Sequence, residues 1–282
     1  MNLNWAGIVL ITSIGLAQAP TESAATPKFE VASVKPNKSP DLCKALTQLL
    51  PGGRFVTTNM PLMQLIAMAW NLPFQTQRIT LAPGVKMPDE IYDMEASAEK
   101  GTFPPGIAVE ERANRTRLMV QALLEDRFKL RIRREPKEQP VYTLVVGKGG
   151  LKMEKSKFQE PECHEEIGPK ILTNPACHFL NGGQNDGFHG GSVTIAQVVE
   201  YANDFTDRPL FDKTGLTGFY DVQTEGWAPM RIPDPGSCDA ATGTSDRPTL
   251  FNVFEKLGLQ MESQRATIDM FVIDHVERPS EN

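Results

Sequence analysis

The chain has 282 residues, 40% of them hydrophobic and 23% charged, with 22 glycines and 22 prolines. This composition excludes a disordered tail and a fibre, and the length allows one large domain or two of about 100–150 residues. A net charge of -6 leaves no electrostatic footprint for nucleic acid or anionic lipid.

The chain opens on an apolar run over 5–16, shorter than the ~20 residues that span a bilayer. Small residues at Ala17 and Ala19 then form the pattern of a signal-peptidase site. Residues 1–19 are therefore expected to be an export signal, cut after Ala17 or after Ala19. The alternatives are a buried N-terminal helix and a retained anchor. No later segment approaches transmembrane length, so the mature chain is expected in the periplasm or outside the cell.

Export makes Cys43, Cys163, Cys177 and Cys238 candidates for disulfides, with three possible pairings. Cys163 and Cys177 bracket a segment poor in core residues, where a local bridge would restrain a loop, and Cys43–Cys238 then follows by elimination. Zinc is the alternative, because His164 and His178 follow two of these cysteines directly. Adjacent Cys-His side chains diverge, whereas structural zinc ligands sit two to four residues apart. The disulfide reading is preferred, and no metal or cofactor is expected.

From Gly53 the pattern predicts a strand over 54–59 and a helix over 61–69 with Leu62, Leu65, Ile66 and Ala69 at helical spacing. A strand over 92–96, a helix over 118–124, and strands over 128–132 and 140–146, paired as a hairpin, follow. The same series recurs: a short strand leading into Ile195, a helix to Ala202, a strand over 220–224, a helix over 250–254, and strands over 257–261 and 269–273. Five matches in one order point to an internal duplication. Each unit reads β-α-β-β-α-β-β, an α+β solution with a helix layer on a mainly antiparallel sheet. The units are placed at 29–146 and 191–276, joined by a crosslinked loop over 147–190 and followed by a tail over 277–282.

One set of catalytic motifs fits the order seen in penicillin-recognising serine acylases. Ser97 and Lys100 match its first motif, Tyr201 and Asn203 its second, and Lys213-Thr-Gly215 its third. Ser97 would be the nucleophile and Lys100 its base. Ser97 closes an alternating strand, however, and strand residues three apart point to opposite faces. The segment from Lys213 is also good turn sequence. His275 is read as a satisfied structural histidine and His189 as a loop residue. No phosphate loop, zinc-protease or esterase motif is present.

The segments over 29–36, 123–130, 140–146, 212–221 and 272–282 together resemble a family of exported proteins of unknown function, abundant in soil acidobacteria. In some relatives this domain follows a membrane-embedded metalloprotease of the antibiotic-sensor type. The resemblance implies an envelope sensing or binding role and carries over no catalytic residues. The helix-start phrase at Met60 also resembles the small N-terminal modules of secretins and TonB-dependent receptors. The expected function is a non-enzymatic binding or scaffold module of the envelope, whose partner is an envelope protein, peptide or glycan. The alternative is a hydrolase with its site between the two units.

Overall fold

The computed structural model describes residues 26–38, 41, 44–157, 179–231 and 246–279. Among these residues, twelve strands and four helices run in the order β1 (Phe29–Pro36), β2 (Leu46–Leu50), β3 (Arg54–Pro61), α1 (Leu62–Ala69), β4 (Ile79–Leu81), β5 (Ile91–Ala98), α2 (Val109–Phe128) and β6 (Arg131–Val146). They continue with β7 (Glu154–Lys155), β8 (Phe179–Gly183), β9 (Gly187–Val193), α3 (Ile195–Ala202), β10 (Leu210–Asp212), β11 (Tyr220–Gln223), α4 (Leu250–Lys256) and β12 (Leu259–His275). The class is α+β, as the alternation of strand and helix patterns predicts.

The strands form three sheets of four: β1-β5-β3-β2, β7-β11-β9-β8, and β10-β6-β12-β4. The first two are antiparallel throughout. In the third, β6 and β12 run antiparallel along their whole length, and the short strands β10 and β4 flank them in parallel. β5 shows why its residues form a half-buried strand: Tyr92, Met94, Ala96 and Ala98 are buried and alternate with more exposed residues. α1 buries Leu62, Leu65, Ile66, Ala67 and Ala69. Both α3 and α4 begin with reciprocal capping boxes, Thr194 with Gln197 and Thr249 with Asn252.

The hairpins predicted over 128–132/140–146 and 257–261/269–273 do not form. Residues 131–132 and 140–146 belong to one continuous strand, as do 259–261 and 269–273, while Phe128 ends α2; β6 pairs with β12 from Leu259 opposite Val146 to His275 opposite Arg131. The polar stretch between them is the mid-part of a ribbon, with its charges in water and paired as Arg133–Glu135 and Arg265–Glu138. Pro136 and Pro140 are tolerated because they sit on the open edge of β6. Tyr142 donates its amide to Pro209 O on that edge, and residues of the same parity place their missing N–H there. His189, read as a loop residue, lies within β9 and meets Asp186 O through Nε2 at 2.9 Å. The segment over 147–190 contributes β7, β8 and the start of β9.

Two main cores result, and both long strands enter both of them. Phe271 and Ile273 of β12 join β3, α1, β5 and α2 in the first core. Tyr142 and Leu144 of β6 join α3, α4, Phe188, Trp227, Leu259 and Met261 in the second. Phe188 lies at the centre of the second core, with its ring centroid 4.5 Å from Trp227 and 6.1 Å from Phe254. Phe188→Ala is expected to cost about 3–5 kcal/mol. The urea midpoint measures this, and a loss below ~1 kcal/mol would show that the ring does not organise that core.

Candidate functional site

Two loops, over 70–78 and 203–209, face each other across a cleft of about 790 Å³. The first leaves the C-terminus of α1. Asn71 takes a left-handed conformation at φ 52, and Leu72 donates its amide to Ala67 O at 2.8 Å, which ends the helix and turns the chain toward β4. The second leaves α3 through a short 3-10 turn, Asn203–Phe205. Asn203 closes that loop by donating to Val199 O and Leu210 O and by accepting from Leu210 N at 2.8 Å.

Polar groups tie the loops together. Phe74 donates its amide to Asp204 Oδ1 at 2.7 Å. Arg231 donates through Nη1 to Gln75 O and Oε1, and through Nη2 to Thr206 O, so it braces both sides. Burial pushes the Asp204 carboxyl above its ordinary value; the Phe74 amide and Arg231 oppose the shift, and Glu200 adds to it. Burial lowers the Arg231 guanidinium, against the pull of Asp207 and Asp204. It also raises the Tyr201 phenol, whose hydroxyl donates to Gly182 O. Asp207 Oδ1 and Arg231 Nε are buried with no hydrogen-bond partner among the described residues.

The cleft lining combines apolar side chains such as Leu72, Phe74, Phe179 and Phe211 with arginines and carboxylates in equal number. Among the described residues that line it there is no histidine, cysteine or serine. Asp204, Asp212 and Arg231 are engaged in holding loops.

The sequence-predicted site residues lie apart from this cleft or serve it structurally. Ser97 pairs with Val31 and Arg54 in the first sheet and is exposed, as is Lys100 in the turn beyond it. Tyr201 and Asn203 border the cleft, but both are committed to backbone carbonyls. Lys213 is exposed in a turn where Asp212 Oδ1 accepts from the amide and hydroxyl of Thr214. His275 meets Glu277 Oε1 at 2.7 Å beside a shallower depression near Trp70 and Lys129. Cys43, Cys163, Cys177 and Cys238, and the zinc alternative with His164 and His178, lie outside the described residues. Among the described residues, no three His, Cys, Asp or Glu side chains gather as a metal site, and no helix is long and apolar enough to cross a membrane.

The sequence reading missed Asp204, Arg231 and the loop over 70–78. Carrying the alignment of the two units past their first helices would have set this loop opposite 203–209.

Residues 63–276, well over half of the chain, match DUF3738, described as a protein of unknown function, and the chain belongs to that family. No curated protein and no solved structure matches it.

The folded state holds the Asp204 carboxyl above its ordinary value, so the folded chain keeps that proton more readily than the unfolded chain does. Its contribution to stability is fullest below the ordinary carboxyl value and is lost as pH rises through the raised one. Asp204→Asn keeps an acceptor for the Phe74 amide and removes the charge. The stability of this variant relative to the parent is expected to rise as pH increases from about 4 toward neutrality. Urea unfolding across that range tests this, and a pH-independent difference would contradict it.

Proposed function

We propose that this DUF3738 protein is two copies of one α+β module, and that it acts as a non-enzymatic binding module of the cell envelope with its ligand in the cleft between the copies. The same sheet order in the first two sheets supports the duplication, strand for strand. So does a local device that occurs in each half. Asn59 and Ser192 have φ of 55 and 54 just before α1 and α3, and each donates its amide to the aspartate of a Tyr-Asp pair on the neighbouring strand, Asp93 and Asp221, at 2.9 and 3.0 Å. Across the third sheet, Tyr142 opposite Ser263 mirrors Phe271 opposite Arg134 under one constant shift along the chain.

The observation that carries the function is the cleft itself, built from the corresponding loop of each copy and closed by Arg231 across both. Its volume falls within the range of ligand pockets, about 300–1,000 Å³. Such a space fits a small molecule or the end of a peptide or glycan. Ala196 is exposed on the α3 wall, so Ala196→Trp fills the cleft without entering a core.

The test is equilibrium dialysis of the parent and Ala196→Trp against small-molecule extracts of bacterial envelopes, read by mass spectrometry. A compound class retained by the parent alone supports the reading. Retention of nothing, or by both chains alike, overturns it. Depletion of a compound with accumulation of its cleavage product would favour the hydrolase.

The export reading adds that the mature protein begins after Ala17 or Ala19, with Cys163 bridged to Cys177 and Cys43 to Cys238. Intact mass after export from a Gram-negative host, with alkylation before and after reduction, is expected to show the shortened chain and no free thiol. A full-length chain, or two or more alkylated cysteines before reduction, would contradict this.

A further inference from the structure

Resting on the cleft as the binding site, the geometry points to a ligand class: an organic oxyanion on an apolar body, its charged end at Arg78 and Arg117 and its body against Phe74. The protein already uses several of the charges in the cleft. Asp204 accepts the Phe74 amide, and Arg231 is spent on Gln75 and Thr206. Arg208 lies 3.6 Å from Asp207 and also donates to Ser263, while Asp212 holds Thr214. The guanidiniums of Arg78 and Arg117 remain without a carboxylate partner among the described residues, and both line the cleft.

Arg78 is held ready for an anion. Its Nε donates to Asp269 O at 3.1 Å, and its guanidinium lies 5.4 Å from the centroid of the Phe271 ring. Arg134 lies 5.4 Å from the centroid of the same ring. The charged groups that face Arg78 are Asp269 and Arg134, one of each sign, and they leave its own charge uncompensated. The Nε bond and the ring contact hold the guanidinium in place, and among the described residues its Nη atoms make no hydrogen bond. A pre-oriented guanidinium loses little freedom when it takes an oxyanion in two parallel bonds. Arg117 approaches from α2 with one bond, Nη1 to Asn114 Oδ1 at 2.6 Å.

The apolar part of the ligand has a surface to meet. Phe74 is 42% exposed at the same loop, and Leu72 and Phe211 line the space beside it. An aromatic ring left in water at a cleft that also presents free guanidiniums matches an amphiphilic anion. A fully hydrophilic anion such as inorganic phosphate would leave that ring uncovered.

Fluorescence titration with 8-anilino-1-naphthalenesulfonate, against its uncharged counterpart N-phenyl-1-naphthylamine, tests the assignment. The sulfonate is expected to saturate one site on the parent, to bind roughly ten-fold more weakly to Arg78→Gln, and to bind less strongly to Arg117→Gln. Salt should weaken it as well. The neutral probe should be indifferent to both substitutions, and Phe74→Ala should weaken both probes. Thermal melting confirms that each variant is folded. Arg117→Gln, at a side chain whose one bond among the described residues is to its own helix, carries the test if Arg78→Gln does not fold.

Equal binding of the two probes, or indifference of the sulfonate to both arginine substitutions, overturns the oxyanion assignment and leaves the cleft standing. If neither probe saturates, or if Ala196→Trp binds both as the parent does, the assignment and the cleft reading fall together.

Discussion

The structure depends on the pairing of β6 with β12. Sixteen residues of one strand lie against the other in antiparallel register, and each strand carries apolar side chains into both main cores. Phe271 and Ile273 near the C-terminus complete the core around α1 and α2. Tyr142 and Leu144 of the first half complete the core around α3 and α4. Neither half buries its helices fully without a strand from the other. The flanking strands repeat the exchange, since β4 of the first half lies on β12 and β10 of the second half lies on β6. Hydrophobic burial in either half thus requires the central ribbon to be in register.

The cleft is a consequence of this exchange. β4 and β10 must each reach the strand of the opposite half, so the loops that lead to them from α1 and α3 converge above the ribbon. Where they converge, backbone groups of both loops take side-chain partners. Asp204 satisfies the Phe74 amide, and Arg231 satisfies carbonyls on both loops. These are costly groups to bury, which is visible in the upward shift of Asp204 and the downward shift of Arg231. What they leave open is a recess with aromatic walls and two arginines not tied to a carboxylate. The site is made by the meeting of the two halves rather than by a motif within either.

Much of the secondary structure was legible in the sequence because it follows local periodicity. Leu62, Leu65, Ile66 and Ala69 mark α1 at helical spacing, and the alternation from Tyr92 marks β5. The long strands were not legible as such. Glu135, Pro136, Lys137 and Glu138 lie where β6 is exposed on both faces, so no alternation remains to be read and the strand appears cut in two. The true partner, β12, lies more than a hundred residues away, and no local signal encodes that pairing. β4 and β10, at three residues each, carry too little pattern to find. His189 was read as a loop because of its glycines. Those glycines serve close packing in a strand, since a side chain at Gly190 would press on Leu180. Asp204 and Arg231 lacked any motif because their roles arise from contacts between segments distant in the chain.

The claim that the halves stand or fall together through the ribbon is tested most directly by native-state hydrogen exchange in increasing urea. The amides of α1, at Leu65 and Ile66, report on the first core, and those of α3, at Val198 and Val199, on the second. If β6 and β12 bind the halves into one unit, both sets converge on a single opening free energy with the same urea dependence. If one helix exchanges through a cheaper opening of its own, while the other waits for global unfolding, the halves are separable and the account is wrong.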